Sequence, residues 1–599
     1  MRLVFVIIFC LFITVGSSQN LSNDRIVDWS DAGLKSMPDT DQWTLLNILD
    51  FGGSGDSITD NSSALSSAIL ALNDSPGIIF FPEGKYLFQS SIVLESNMIL
   101  RGVGSDKTEI IINFGGAVNH GVILSKSQSG NYVEVISGNT KGSDYLKLTS
   151  TSGISNTEFA DLRQDNGIWD TKPASWATAV VGQILHLDRI NADTIFFMQP
   201  LRLEYDTSLN LRIRPIEVIS NVGLECLKIR RKDEPATAAY NIYMSHAYNC
   251  WVRGVESSYS GGSHVYITES SNIWVEGSYF HHAFKYDGVG TNGYGVTLNH
   301  RTGECLIENN VFRFLRHAMM VKTGANGNVF AYNYSIEPNR SEQGTFLSGD
   351  ISLHGHFAFA NLFEGNIVQN IIIDHFWGPS GPYNTFFRNR AELLGFVMTE
   401  DAIYNTKTQN IIGTEIINPA ATFGNYTLTG TDHYEYANDV KGVIIPSGTT
   451  NLTLNSLYLQ QQPEYWGQQL SWPGIGIPNA VNSVSIPAKD RYLSGGLVTT
   501  CPEGITSIGE LGFPIENLII DLYPNPVRTN LFIKLNEVGM GLVQVRLLDL
   551  LGTEHLKIEW DTSFEPDLKL NLADRYSGLY FISFVFENGK QISRKIILQ

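Results

Sequence analysis

Short apolar runs broken by glycine and proline follow one another along most of the chain. Residues 77–86 and 99–104 are examples, and both predict strands that end in turns. Asp60 precedes a segment carrying Ala64, Ile69 and Leu70, and its carboxylate can accept hydrogen bonds from the first-turn amides of a helix. The pattern therefore predicts a mostly β protein with a helix near its start.

A repeat of 23 residues organises the middle of the chain. Equivalent glycines and asparagines stand at positions 254, 277, 310, 333, 366 and 389, which are separated by 23, 33, 23, 33 and 23 residues. This period fits a solenoid in which each coil holds three short strands and two coils carry long loops. It predicts regular coils over residues 215–505 and an internal ladder of stacked amides formed by Asn310, Asn333, Asn366 and Asn389.

The charge balance narrows the class of protein. The chain has 599 residues, with 41 Lys and Arg against 60 Asp and Glu and a formal net charge of −19, so we expect no nucleic-acid partner. Apolar residues make up 43% and charged residues 17%, which excludes disorder or a coiled coil as the main theme.

The first residues have the order of an export signal. Arg2 precedes an apolar run over residues 3–15, and the small residues Gly16, Ser17 and Ser18 follow it. We expect a signal peptide over residues 1–18. No later run approaches the ~20 apolar residues that span a bilayer, so no transmembrane segment is expected in the mature chain.

Two stretches depart from the repeat. Residues 120–215 carry strand-like runs, which we interpret as an elaboration of the solenoid. The pattern does not predict the shape of this elaboration. The last 80 or so residues alternate between polar and apolar positions, as in 543–549 and 578–584. That alternation predicts a small β-sandwich with one wet face.

The segment 45–115 resembles the opening of the pectate-lyase superfamily. Residues 55–60 match its Gly-Asp-x-x-Thr-Asp turn, and Phe81, Pro82, Gly84 and Tyr86 match its strand motif. The resemblance implies an all-β protein, a right-handed parallel β-helix with an N-terminal cap over residues 40–510.

The end of the chain resembles another family. The motifs YPNP at 523–526, DLLG at 549–552 and SGLYF at 577–581, with a basic final strand, are similar to the C-terminal sorting domain of type IX secretion in Bacteroidetes. The resemblance covers residues 515–599. It implies the type IX machinery as a partner and an extracellular or cell-surface protein, and a carbohydrate-binding sandwich is the alternative.

Basic residues end four successive strand-like runs of the repeat. His300, Lys322, His354 and His375 would form a column roughly 14 Å long at the spacing of neighbouring strands. In a chain this acidic, such a column predicts a groove for an acidic polysaccharide. The alternative is a solvated strand edge whose histidines bond to the backbone.

The same region offers groups for β-elimination on a uronate. We expect the catalytic set to be Lys322, His354, His356, His300 and Arg301. Lys322 or a neutral histidine would be the base, Arg301 or Arg316 would neutralise the substrate carboxylate, and His354 or His356 would be the acid. The expected substrate-binding residues are Arg316, His317, His375, His282, Tyr286 and Trp377. Asp287, Asp350 and Asp374 are the candidates for a Ca²⁺ site, and no other cofactor is implied.

These observations predict a secreted polysaccharide lyase acting on an acidic glycan, either uronate-containing or sulfated. One alternative is a glycoside hydrolase that uses Asp350 or Asp374 together with Asp287, because hydrolysis needs two carboxyl groups. The other is a β-helix adhesin that binds a glycan without turnover.

Overall fold

A computed structural model was used. It describes residues 21–22, 25–126, 130–154, 157–288, 290–340, 348–398, 409–417, 426–450, 452–467, 470–476, 484–501, 520–535, 542–549, 553–562, 567–586 and 591–599. The expected signal peptide, residues 1–18, lies outside this described part and stays a prediction.

The first face of the solenoid is a long parallel sheet, sheet A. Its strands are Thr44–Asn47, Gly77–Phe80, Met98–Arg101, Gly223–Glu225, Trp251–Arg253, Trp274–Glu276, Leu306–Glu308, Val329–Ala331, Leu362–Glu364, Thr385–Phe387, Asn410–Ile412 and Tyr434–Tyr436.

The second face is the middle sheet, which is also parallel apart from its last strand. Its strands are Asp56–Asp60, Gly84–Phe88, Thr108–Ile112, Lys228–Arg231, Glu256–Ser260, Tyr279–Ala283, Val311–Arg313, Tyr334–Ile336, Glu415–Ile416, Asn438–Val440 and the antiparallel Val443–Ile445.

The third face, the groove sheet, carries the candidate site. Its strands are Ile92–Leu94, Val122–Ser125, Ile242–Ser245, Ser263–Thr268, Tyr294–Asn299, His317–Val321, Ile351–His354 and Tyr426–Thr427. Two long strands, Ile367–Asp374 and Arg390–Met398, run through both the middle and the groove sheet. Ile219–Ser220 and Ala247–Tyr248 form a small parallel pair beside them.

These sheets enclose one continuous apolar core. On the groove sheet the inward residues include Val296, Leu298, Met319, Val321 and Leu353, all fully buried. Because side chains alternate across a strand, the residues between them lie on the outer face. The chain is thus a right-handed parallel β-helix, as the sequence predicts.

The predicted asparagine ladder is confirmed. Asn310, Asn333 and Asn366 each donate a side-chain hydrogen bond to the next asparagine carbonyl oxygen, at 3.0, 3.0 and 2.9 Å, and the ladder ends on Asn389. One coil is a residue shorter than the sequence spacing indicated, since Glu276 pairs with Glu308. Ser278 rather than Gly277 therefore faces Asn310.

In the part of the chain that the structure describes, two helices accompany the solenoid. The first, Ser62–Leu72, buries Leu65, Ala68 and Leu72 against the first coil and supplies the N-terminal cap. The second, Pro487–Leu493, lies after the last coil. Short 3₁₀ turns occupy Ile48–Phe51, Thr207–Leu209 and Glu464–Trp466.

The elaboration at residues 120–215 is a closed antiparallel barrel. Its strands are Val133–Ser137, Tyr145–Leu148, Phe159–Arg163, Gly182–Asn191, Thr194–Phe197 and Arg212–Ile216. The barrel follows groove strand Val122–Ser125 and packs on the turns that leave the groove sheet. Asn326 in one such turn donates to the Gly182 carbonyl at 3.1 Å.

The regular coils are shorter than the sequence predicted. In the described residues the parallel ladder ends at Asn438–Val440 instead of continuing to residue 505. The chain then returns along the outside of the solenoid. Leu452, Tyr458, Trp466 and Ile475 form a second core there.

The C-terminal unit is a β-sandwich, as the alternation predicts. One sheet holds Ile520–Tyr523, Asn530–Leu535 and Asp567–Asn571, and the other holds Glu554–Asp561, Leu542–Asp549, Gly578–Phe586 and Gln591–Leu598. Val545, Trp560, Ile582 and Phe584 are among its core residues.

Candidate active site

The strand register brings Lys322 and His354 together. Val321 pairs with Leu353, so the residues that follow each of them hold the same position on adjacent coils, about 4.8 Å apart. His354 in turn pairs with Asp374. The row on the groove sheet is therefore Asn299, Lys322, His354 and Asp374.

This register corrects the expected basic column at both ends. Leu298 pairs with Val321, so Asn299 occupies the row where His300 was expected. Asp374 occupies the place expected for His375. A shift of one residue turns a strand side chain to the opposite face, and the two histidines lie in the turns that follow the strands.

His354 and Asp374 form a hydrogen-bonded pair. His354 Nδ1 lies 2.5 Å from Asp374 Oδ2, and both side chains are about one-sixth exposed. Burial acts to raise the pKa of Asp374, but the charge and hydrogen bond of His354 outweigh it, so this pKa lies below its ordinary value. A bond through Nδ1 leaves His354 Nε2 to exchange a proton with a ligand.

Lys322 has no hydrogen bond or ion pair from its ammonium group within the described part of the chain. It lies 5.8 Å from the ring centre of Tyr266. Burial lowers the pKa of Lys322 to about 8. A lysine with a pKa near the working pH can serve as a proton acceptor.

Further buried polar groups surround the row. The His317 ring lies 5.6 Å from the His354 ring and 4.8 Å from Tyr294, and His317 Nδ1 donates to the Gly349 carbonyl at 3.1 Å. Burial and the charges of His354 and Arg316 hold the pKa of His317 well below its usual range. Arg316 is buried and donates through Nη1 to the Gly288 carbonyl at 3.1 Å, while its Nε has no hydrogen-bond partner among the described atoms.

Arg301 is committed to ion pairs between the solenoid and the barrel. Its guanidinium is 1% exposed, with Nε 2.8 Å from Asp161 and Nη2 2.7 Å from Glu269. Arg163 and Arg214 pair with the same two carboxylates, so the structure places the Arg301 cation in a buried ionic cluster of the framework and not in the open groove.

His300 and His356 also bond to the backbone of the barrel. His300 Nε2 donates to the Trp176 carbonyl at 3.0 Å, and its pKa falls to about 4 because of burial and the charge of Arg301. His356 is fully buried, and its Nε2 donates to the Lys172 carbonyl at 3.1 Å. The alternative foreseen for the column, histidines bonded to backbone, describes His300, and His356 of the expected catalytic set bonds in the same way.

The remaining expected binding residues divide between two places. Trp377 lies 6.4 Å from the His354 ring and belongs to the groove. His282 lies on the middle sheet, where its Nδ1 is 2.8 Å from His281 Nδ1. Tyr286 lies in the loop before the groove strand, where its hydroxyl accepts from the Ala283 amide at 2.9 Å.

The three expected metal ligands do not form one site. Asp350 accepts from Ser335 at 2.5 Å and from the amides of Gln369 and Asn370, and burial raises its pKa to about 6. Asp287 lines a cavity of about 440 Å³ formed by the loops beside Glu234. No group of three or more His, Cys, Asp or Glu that could hold an ion occurs in the described residues. The donors present do not fit Ca²⁺, whose use stays a prediction.

Sequence reasoning missed four side chains of this site. Asn299 and Tyr266, which bond to each other, stand in strands that the repeat located, so the correct register would have found them. Tyr294 pairs with His317 at the start of the groove strand. Trp176 comes from the barrel, and no local pattern pointed to it.

Two family models match the chain. Residues 45–181 match "Rhamnogalacturonase A/epimerase, pectate lyase-like", and residues 521–599 match "Secretion system C-terminal sorting domain". No curated protein matches the chain in sequence. The second domain directs type IX secretion to the cell surface or the extracellular space. No helix in the described residues is long and apolar enough to cross a membrane.

Solved structures with a similar solenoid share little sequence with it. The tailspike protein gp49 of Pseudomonas phage LKA1 is 12% identical, with a TM-score of 0.46 over 62% of this chain and 64% of that one. The A-module of mannuronan C-5 epimerase AlgE6 of Azotobacter vinelandii is 14% identical, with a TM-score of 0.32 over 66% and 98%. An exopolygalacturonase from Thermotoga maritima is 13% identical, with a TM-score of 0.37 over 68% and 89%.

The fold, the groove and the two family matches agree with one another. This chain is a secreted β-helix protein that ends in a C-terminal sorting domain, and its residues 45–181 are similar to the rhamnogalacturonase A/epimerase, pectate lyase-like family.

Proposed function

We propose that this protein is a lyase that cleaves a uronate-containing polysaccharide by β-elimination in the groove. The observation that carries the proposal is an ammonium group without an ion-pair partner among the described residues, at Lys322, next to the His354–Asp374 pair. Buried cations without a counter-charge are costly unless an anionic ligand completes the site.

The reaction needs a base, an acid and a counter-charge. Neutral Lys322 Nζ takes the C5 proton of the uronate, and the C5–H electrons form the C4–C5 double bond. The C4–O bond breaks, and the leaving oxygen takes a proton from His354 Nε2. Asp374 holds the opposite ring nitrogen and stabilises the protonated ring.

Arg316 is the cation that we assign to the substrate carboxylate. Its Nε is buried without a hydrogen-bond partner among the described atoms, and its neighbours are Tyr294 and His317. Neutralising the carboxylate acidifies the C5 proton, because the charge that develops in the transition state spreads onto the carboxylate oxygens.

Hydrolysis by paired carboxylates has less support. Retaining and inverting enzymes place two carboxyl groups about 5–9.5 Å apart across the scissile bond. Both oxygens of Asp350 already accept hydrogen bonds, and Asp374 binds His354. Of Asp287, Asp350 and Asp374, only Asp374 lies in the groove row.

The test is incubation of the protein with polygalacturonate, alginate, ulvan and glycosaminoglycans, with and without Ca²⁺ and a chelator. Ultraviolet absorbance of an unsaturated uronate is expected to rise, and to stay flat with Lys322→Ala. Lys126→Ala is the matched control, because this lysine forms an exposed ion pair with Glu95.

Three other outcomes contradict the proposal. New reducing ends without absorbance mean hydrolysis. Deuterium incorporation at C5 from heavy water without either signal means epimerisation, which shares only the proton-abstraction step. Glycan binding without any turnover means a binding protein.

A further inference from the structure

The barrel sends one long loop to the groove. Residues 164–181 connect its strands Phe159–Arg163 and Gly182–Asn191. Lys172 Nζ donates to the His375 carbonyl at 2.9 Å, and the His300 and His356 rings hold the loop through their hydrogen bonds to the Trp176 and Lys172 carbonyls. Three turns of the solenoid, those that carry His300, His356 and His375, therefore fix this loop through its backbone and one lysine.

The loop places an aromatic ring beside the catalytic row. Trp176 is 44% exposed, its ring centre is 5.7 Å from that of Trp377, and it contacts the His356 ring at 4.8 Å. Phe376 is 58% exposed and lies 5.0 Å from Trp377. Together Trp176, Phe376 and Trp377 form what we call the aromatic rim.

The position of the rim indicates its ligand. Trp377 lies 6.4 Å from His354, so a polymer whose scissile bond reaches His354 continues onto these rings. Exposed apolar patches beside polar groups are typical of ligand-binding grooves, and aromatic rings offer large rigid faces at low entropic cost. The apolar face of a pyranose ring fits such a surface, while its hydroxyls remain free to bond at the edges.

We propose that the aromatic rim is a sugar-binding subsite that holds a pyranose unit of the acidic polysaccharide next to the reacting unit, with Trp176 supplied by the barrel. This inference rests on the groove of the proposed function, but not on the reaction that occurs there. The barrel then has a function in substrate selection, because its loop contributes the Trp176 ring to the groove of the solenoid.

The test compares Trp176→Ala, Trp176→Phe and Phe376→Ala with Tyr145→Ala. Tyr145 is the matched control because it is 43% exposed on the same barrel, where its ring lies against Phe196. All four are made in the full chain. The loop is fixed through the Trp176 carbonyl, which every substitution keeps, and thermal melts check that each variant folds.

Affinity is measured by electrophoresis through gels containing polygalacturonate, alginate or ulvan. The dissociation constant is expected to rise about five- to tenfold for Trp176→Ala, less for Trp176→Phe, and not at all for Tyr145→Ala. Unchanged retardation of Trp176→Ala and Phe376→Ala overturns the subsite, and so does the absence of retardation of the wild type in every gel.

The design separates this inference from the proposed function. The same gels are run with Lys322→Ala, which should bind without turnover. Retardation that depends on Trp176, in a protein that cleaves none of the polysaccharides of the absorbance test, supports the subsite and contradicts the lyase. If the wild type cleaves a polymer and Trp176→Ala changes neither KM nor the dissociation constant, the result supports the lyase and contradicts the subsite.

Discussion

His354 Nδ1 lies 2.5 Å from Asp374 Oδ2, and the two residues hold the same position on adjacent coils. Their contact depends on the register of two groove-sheet strands, between which the chain passes through the sheet A strand Leu362–Glu364. The bond fixes which ring nitrogen faces Asp374 and which faces the groove, so the solenoid itself sets the orientation of the proposed acid.

Asp374→Asn tests this orientation. An amide can donate to Nδ1 and hold the ring in the wrong tautomer, so kcat is expected to fall about 10²- to 10⁴-fold while KM changes little. Steady-state kinetics check this, and the pH dependence of kcat should change shape relative to the wild type, since Asp374 is a positioning residue that acts through His354. Asp188→Asn, in an exposed ion pair with Arg189, is the control. An equal loss in both variants, or an unchanged pH profile, contradicts the assignment.

The pH profile tests Lys322 as the base. Its pKa is about 8 because of burial, so the ammonium form dominates below that pH and the neutral base above it. We expect kcat/KM to rise tenfold per pH unit below about 8 and then level off. Lys322→Arg keeps the charge but not the titration, and it should lose activity over the whole range. A profile of Lys322→Arg with the same rising limb would assign the base elsewhere.

Glu308 on sheet A is expected to make the stability of the protein depend on pH. Burial and the charge of Glu276 raise the pKa of Glu308 to about 7, and its carboxylate accepts from Tyr465 at 2.8 Å. A carboxyl group with a raised pKa in the folded state stabilises the fold below its unfolded pKa, and this contribution is lost as the pH rises through about 7.

Urea unfolding of the wild type and Glu308→Gln across pH 4.5 to 8 measures this contribution. The difference in unfolding free energy between them is expected to shift in favour of Glu308→Gln as the pH rises. Glu83→Gln, at an exposed position, should show no such trend. A constant difference between Glu308→Gln and the wild type contradicts the raised pKa.

Asn333→Ala tests the amide ladder. Asn333 donates to Asn366 and to the Ile307 carbonyl and accepts from Asn310, so the substitution leaves buried groups unpaired on both neighbouring coils. Each unpaired group costs about 1–3 kcal/mol, and chemical denaturation should show a loss of at least that size. Asn191→Ala, at an exposed barrel position, is the control, and equal stability of the two variants would contradict the ladder's importance.

The sequence predicted the coils well because stacking repeats the same requirement at each turn of the solenoid. The buried amide of Asn333 donates to the side chain of an asparagine in the next coil, Asn366. Asparagines therefore recur in the sequence at the spacing of the coils. The two family motifs at the ends likewise consist of neighbouring residues, and the sorting domain follows from its own alternation.

The site was predictable only in part. Lys322 and His354 were found together, because both end apolar strands of the repeat. At both ends of the row the predicted position was wrong by one residue. The prediction named His300 and His375, whereas Asn299 and Asp374 occupy the row. A one-residue slip leaves the local pattern almost unchanged, yet it exchanges the two faces of a strand.

What the sequence alone determined, then, is the repeating solenoid, its export and the neighbourhood of the groove, because these depend on local patterns. The tertiary structure decided the register, which follows from how Val321 and Leu353 pack inside the core. It also decided that Arg301 pairs with Asp161 and that Trp176 reaches the groove. Both contacts join residues more than a hundred positions apart, and only packing in three dimensions fixes them.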